Sequence, residues 1–256
     1  MSDGRFPPVK ERDVRRAARR MAKRLGKSPA GRIASGLLLL ALAVAAWAGP
    51  QLASSGGGSP DGSGARPTAS AGLEAAHVTE DARRAAEQDA KRSTDVQRAN
   101  ADPAAFDQVT VRHVVDGDTL AVLFADGERA SVRLIGIDTP ESVAPQKERN
   151  REEGVWASDH MKGLVGEGDT LWLQYDTNQV DKYGRPLAYV WRTLPASAAE
   201  ADNPAVIAQH MLNAIQVIDG YGQPKTYRPD TYHDGLFAQW GIEAAAEGRG
   251  VTYLWA

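Results

Sequence analysis

From Phe106 onward, apolar residues recur at every second position. Val109, Val111 and Val115 alternate with polar neighbours, followed by Leu120, Val122 and Phe124, and then Val132 and Leu134. A two-residue period turns one face of an extended chain toward a core, so each run predicts a strand. Ala125-Asp126-Gly127-Glu128 separates the second and third runs as a turn. Pairing Thr119–Phe124 with Ala130–Ile137 about Gly127 makes facing residue numbers sum to about 254. Thr119 is then expected opposite Ile135, with Asp118 close to Asp138. Leu171, Leu173 and Tyr175 predict a fourth strand, and Leu187–Trp191 a fifth that starts after Pro186.

The period changes between the third and fourth strands. Ala157, Met161, Leu164 and Val165 fall on one face of a helix over Gly154–Val165, which Gly166 and Gly168 end. Further helices are predicted near Ala205–Ile215 and His233–Glu247, the last with Leu236, Phe237, Trp240 and Ala244 on one side. Five short strands with helices inserted before the fourth and after the fifth predict an α+β domain over 105–256. Its expected architecture is a five-stranded oligonucleotide-binding (OB-fold) β-barrel with about three packed helices. Such a length is enough to bury a self-sufficient core.

The first hundred residues have another character. Residues 1–32 hold eleven Lys/Arg against three Asp/Glu, a net of +8, and the whole chain is −3, so residues 33–256 carry −11. Ile33–Ala48 has no charge over sixteen residues, short of the ~20 a spanning helix needs. Behind a basic flank, residues 33–50 read as a signal-peptide core, with Ala46-Trp47-Ala48 as a small-x-small cleavage site, or as a single-pass membrane anchor. Either reading exports the rest of the chain: it is secreted, or held by the membrane with the folded domain outside the cytoplasm. Gln51–Gly72 is rich in Gly, Ser, Pro and Ala, and Leu73–Asn100 is rich in Ala, Glu and Arg, a composition that suits a solvated helix but offers no apolar stripe for packing. Residues 51–104 are therefore expected to form a disordered linker or stalk.

The chain has no cysteine, which excludes a thiol nucleophile and a thiolate metal site. Its five histidines are scattered and give no ligand pair. Acids are concentrated at one end of the predicted hairpin instead: Asp116 and Asp118 before the second strand, Asp138 and Glu141 after the third, with Arg133 just below. Asp116 suits a turn cap beside Gly117. Carboxylates without a His or Cys cluster favour a hard cation such as Ca²⁺ or Mg²⁺. Arg133 in an apolar strand needs an acid or a phosphate, and a salt bridge to Glu141 is the plain expectation. A second charged run, Asp181-Lys182-Tyr183-Gly184-Arg185-Pro186, lies in the turn between strands four and five.

Three ordered motifs now carry a resemblance. Val114-Val115-Asp116-Gly117-Asp118-Thr119, Val132-Arg133-Leu134 with Ile137-Asp138-Thr139-Pro140-Glu141, and Asp181-Lys182-Tyr183-Gly184-Arg185 with Leu187-Ala188-Tyr189 resemble the staphylococcal nuclease (thermonuclease) family, best over about 109–192. The resemblance implies a Ca²⁺-dependent phosphodiesterase, an endonuclease acting on DNA and RNA. It implies that Asp118, Asp138 and the Thr139 carbonyl bind calcium and that Glu141 positions or deprotonates the attacking water. Arg133 and Arg185 hold the phosphate, and Lys182 and Tyr183 touch a neighbouring one. Tyr221 and Tyr227 are both candidates for the aromatic platform under a base. No protein partner is implied. The competing expectation is a non-catalytic nucleic-acid-binding module of the same fold, displayed at the cell surface.

Overall fold

A computed structural model describes residues 78–142 and 151–255. The signal or anchor segment and the first half of the expected linker, residues 51–77, lie outside the described residues.

Five strands form the barrel: β1 Asp107–Asp116, β2 Thr119–Phe124, β3 Arg129–Leu134, β5 Thr170–Gln174 and β6 Leu187–Trp191. They pair in the cyclic order β1-β2-β3-β6-β5, and β5 closes the ring on β1. Every contact is antiparallel except β3 with β6. Two register shifts bend β1, one between Val111 and His113 and one between Val114 and Asp116. The bends let one ten-residue strand serve both β2 and β5. The alternating residues point inward as their period requires: Val109, Val111, Leu120, Val122, Val132, Leu134, Leu171 and Leu173 are all buried.

The β2–β3 hairpin departs from the expected register. Thr119 faces Arg133 and Leu123 faces Arg129, so facing numbers sum to 252 and not to 254. Gly127, at φ 83, occupies the left-handed region in a three-residue loop, and the Phe124 N–H bonds the Glu128 carbonyl at 2.8 Å. A glycine at that position shortens the connection and moves the partner strand by two residues. The third run also ends at Leu134, and Ile137–Asp138 pair separately, as β4, with β7 at Gln223–Pro224.

The helices after β4 are α3 Glu152–Leu164, α4 Ala198–Ala201, α5 Pro204–His210, α6 Leu212–Ile218 and α7 Asp234–Ala246. The single helix expected over 205–215 is two. Met211 is extended (φ −96, ψ 117) and forms a bridge to Trp191, which breaks the helix between α5 and α6. α6 is buried along its whole length. Its Asn213 accepts from the Val190 N–H at 2.8 Å and donates to the Ile135 and Ala188 carbonyls, tying the helix to the barrel wall.

Residues 78–104 correct the linker expectation. They fold as α1 Glu80–Arg92 and α2 Asp95–Asn100, packed against the domain. Thr79 caps α1, and Thr94 with Gln97 forms a capping box on α2. No apolar stripe announces this packing because polar groups make it: Asp89 and Gln97 are buried, alongside Ala82 and Ala101. No helix among the described residues is long and apolar enough to cross a membrane.

Candidate active site

The acids gather where β1 turns into β2. The Asp116 carboxylate accepts from the Gly117 N–H at 2.8 Å and from the Ser142 hydroxyl at 2.6 Å, the capping role its position suggested. Gly117 is needed here, since a Cβ would come within 2.9 Å of Ala157 and of Thr139 Oγ1. Gln216 of α6 donates to the Gly117 carbonyl at 2.6 Å, so the core holds the turn from below.

Asp118 is buried and fully engaged. One oxygen accepts from the Thr139 N–H (3.1 Å) and hydroxyl (3.0 Å), and the other accepts from the Thr119 hydroxyl (3.0 Å) and pairs with Arg133. The same guanidinium reaches Asp138 Oδ1 at 2.8 Å. Arg133 thus bridges two acids, and this pairing replaces the expected salt bridge to Glu141. Only 16 % of its side chain is exposed, against 45 % for Asp138. The predicted closeness of Asp118 and Asp138 holds despite the register shift, because one cation spans both.

A cavity of about 660 Å³ opens above this pair. Asp118, Arg133, Thr139, Glu141, Lys182, Tyr183, Arg185 and Tyr227 all line it. Eight of the ten predicted site residues therefore border one place, and Asp138 is bonded to one of them, Arg133. Arg185 is held by Asp181, Nε to Oδ2 at 2.7 Å, inside a turn whose Gly184 has φ 77. Lys182 and Arg185 both lie over the Tyr183 ring, at 5.1 and 5.7 Å from its centroid.

The two C-terminal tyrosines separate. Tyr227 is 39 % exposed in the cavity wall, close enough to Arg133 and Asp138 to feel both charges. Burial pushes its phenol up and the Asp138 charge adds to this, against the opposing pull of Arg133. Tyr221 is not among the residues bordering the cavity. Its ring stacks on His160 of α3, with centroids 4.5 Å apart.

Asp181 stood in the charged run without a role of its own, and Asp230 was given none. Asp181 sits four residues before Arg185, a spacing that announces the pair. Asp230 left no local signal: it is brought in by Asn178, whose N–H and side-chain amide donate to its carboxylate at 2.7 and 3.1 Å. Burial raises its carboxyl above the usual range, and the two Asn178 bonds pull it back.

Among the described residues no three His, Asp or Glu side chains converge as a complete metal cage. The donor set nevertheless suits a hard cation. Two carboxylates already share one positive charge, and among the described residues the cavity is lined by five acids (Asp116, Asp118, Glu141, Asp181, Asp230) against three cations. Its formal balance of −2 disfavours an anionic ligand unless further positive charge enters with it.

A closed five-stranded barrel presenting paired acids and arginines at one rim defines an OB-fold protein. Residues 131–256 match the model of the "Staphylococcal nuclease homologue" family. The chain is 34 % identical to the thermonuclease of Staphylococcus intermedius over 134 residues, 52 % of this chain and 69 % of that protein. It is 34 % identical to the thermonuclease of Staphylococcus hyicus over 120 residues, 47 % of this chain and 60 % of that protein. Endonuclease YncB of Bacillus subtilis is 40 % identical over 84 residues, spanning 38 % of its length. The chain belongs to the staphylococcal nuclease family.

Proposed function

We propose that this protein is an exported, Ca²⁺-dependent nuclease that hydrolyses phosphodiester bonds of DNA and RNA by attack of water. The observation that carries this reading is the guanidinium of Arg133 shared by Asp118 and Asp138 on the floor of a cavity also lined by Glu141 and Arg185. Relatives named thermonuclease and endonuclease support the same chemistry.

Asp118 and Asp138, with the Thr139 carbonyl, would hold the calcium ion. Calcium takes 6–8 oxygens, so these three donors would not satisfy it alone and would leave it open to waters and substrate. When bound, it supplies Lewis-acid polarisation of the phosphoryl oxygen and relieves the cavity's negative balance. Arg133, released from the acids, turns its paired N–H donors to the phosphate, and Arg185 meets the same group from the opposite turn. Glu141 takes the proton of the attacking water. The new P–O bond forms as the ester P–O bond breaks, the leaving oxygen takes a proton from solvent water, and Glu141 returns its own to solvent. Lys182 and Tyr183 contact a neighbouring phosphate, and Tyr227 supports a base. Water as nucleophile needs no 2′-hydroxyl, which fits action on both nucleic acids.

The full-length protein is expected to cleave single-stranded DNA and RNA with calcium and to stop when chelator is added. Calorimetric titration should show calcium binding that Asp118→Asn and Asp138→Asn each weaken. Absence of turnover with every divalent cation, beside tight calcium-independent binding of DNA, would establish the non-catalytic binding module instead. Export rests on residues 33–50, and cell fractionation tests it: the protein should appear outside or at the membrane, and a purely cytoplasmic protein contradicts it.

A further inference from the structure

Residues 78–104 precede the region matched by the family model, which begins at 131, yet they grip the segment that carries Tyr227. Two polar side chains make the grip. Asp89 of α1 accepts from the Gly235 and Leu236 N–H groups at 3.1 and 2.8 Å, capping the start of α7, and Arg92 steadies it at 2.7 Å. A side chain at Gly235 would come within 2.7 Å of Asp89, so the approach depends on that glycine.

Gln97 of α2 is held at both ends of its amide. Its oxygen accepts from the Thr94 N–H at 2.9 Å in the capping box, which aims its nitrogen at Asp176 Oδ1, 2.8 Å away, and toward Thr231 Oγ1 at 3.4 Å. Asp176 is a buried carboxylate at a junction. Its other oxygen accepts from the Tyr232 N–H at 2.9 Å and from the Tyr189 hydroxyl at 3.1 Å. From Tyr232 the chain runs back through Asp230, whose N–H bonds the Tyr227 carbonyl at 2.8 Å. Neither Asp89 nor Gln97 borders the cavity, but both fix the short stretch whose far end places the Tyr227 ring in it.

We propose that Gln97 and Asp89 are positioning residues for nucleobase binding. The N-terminal helix pair sets residues 227–236, and through them Tyr227, so a segment outside the matched family region takes part in substrate recognition. This rests on the reading of the cavity as a nucleotide site.

Gln97→Glu in the full-length protein keeps the capping box but turns the donor facing Asp176 into an acid. Asp89→Asn is the second variant, removing charge with little change of shape. Each is expected to raise KM for single-stranded DNA about three- to thirtyfold with kcat within about twofold. Neither should raise KM further in a Tyr227→Ala background. Amide exchange should quicken at 227–232 while β1 and β2 stay protected. Effects that add to Tyr227→Ala, or a fall in kcat with unchanged KM, overturn the proposal. So does unchanged exchange at 227–232. If the wild-type protein cleaves nothing, the nuclease reading fails, and the exchange measurement alone decides the positioning.

Discussion

Arg133 holds two acids in the free protein and serves the phosphate in the proposed reaction, so its geometry matters more than its charge. Lysine in its place keeps the charge but loses the planar fork. Arg133→Lys and Glu141→Gln should each lower kcat by ~10²–10³ with little change in KM, because both act where charge develops in the transition state. Steady-state kinetics check this, and near-normal kcat in both variants contradicts the assigned roles. Tyr227 and Tyr221 are predicted to behave differently. Tyr227→Ala should raise KM about tenfold, within the ~1–3 kcal/mol of a base-stacking platform, whereas Tyr221→Ala should affect stability alone. A third residue sets a pH dependence. His233 is buried among Tyr189, Tyr232 and Phe237, and burial lowers its imidazole from 6.5 to about 3. The unfolded chain then binds one more proton between those values, so stability falls as pH drops below about 6.5, by at most ~1.4 kcal/mol per unit. His233→Phe keeps the ring packing and should flatten that slope in urea unfolding followed between pH 4 and 7; an unchanged slope contradicts it.

Elements set these residues in place through close approaches that few side chains permit. Gly154, in the first turn of α3, lies against the Pro140 and Glu141 carbonyls, where an added Cβ has no room. Gly154→Ala should displace Glu141, lowering kcat well over tenfold and costing ~1–3 kcal/mol of stability by overpacking; activity and urea unfolding read the two effects separately. The barrel strands and α3 were legible in the sequence because their apolar periods are strong, and the acid pair was legible because Asp118 and Asp138 fall at the same end of the hairpin, although Arg133 and not strand pairing joins them. The two-residue register error came from the Gly127 loop, whose left-handed residue was visible as a glycine but not as a shortened connection. The division between α5 and α6 was hidden because Met211 pairs with Trp191, a contact twenty residues away in sequence. The packing of α1 and α2 against the domain was missed for a different reason. Hydrophobic periodicity does not register a packing face made of alanines, one buried carboxylate and one buried amide.

On the scale of the whole molecule, charge decides how the site must work. Residues 33–256 carry a net −11, and the cavity itself holds five acids against three cations. A polyanion is therefore drawn by local features, among them, of the described residues, the Arg133, Lys182 and Arg185 trio and the calcium ion that the acids would hold. Affinity for DNA should fall with added salt, with a shallow slope befitting few phosphate contacts. The N-terminal helices make the folded unit larger than the barrel alone, and the basic and apolar segments before them supply the proposed route out of the cell. The most direct test is the single-turnover cleavage rate of the full-length protein on single-stranded DNA, titrated with calcium and then with chelator, beside Arg133→Lys and Glu141→Gln. Cleavage that rises and saturates with calcium, vanishes with chelator and drops by orders of magnitude in both variants is the predicted result. Cleavage that persists in chelator, or no cleavage with calcium or any other divalent cation, would contradict it.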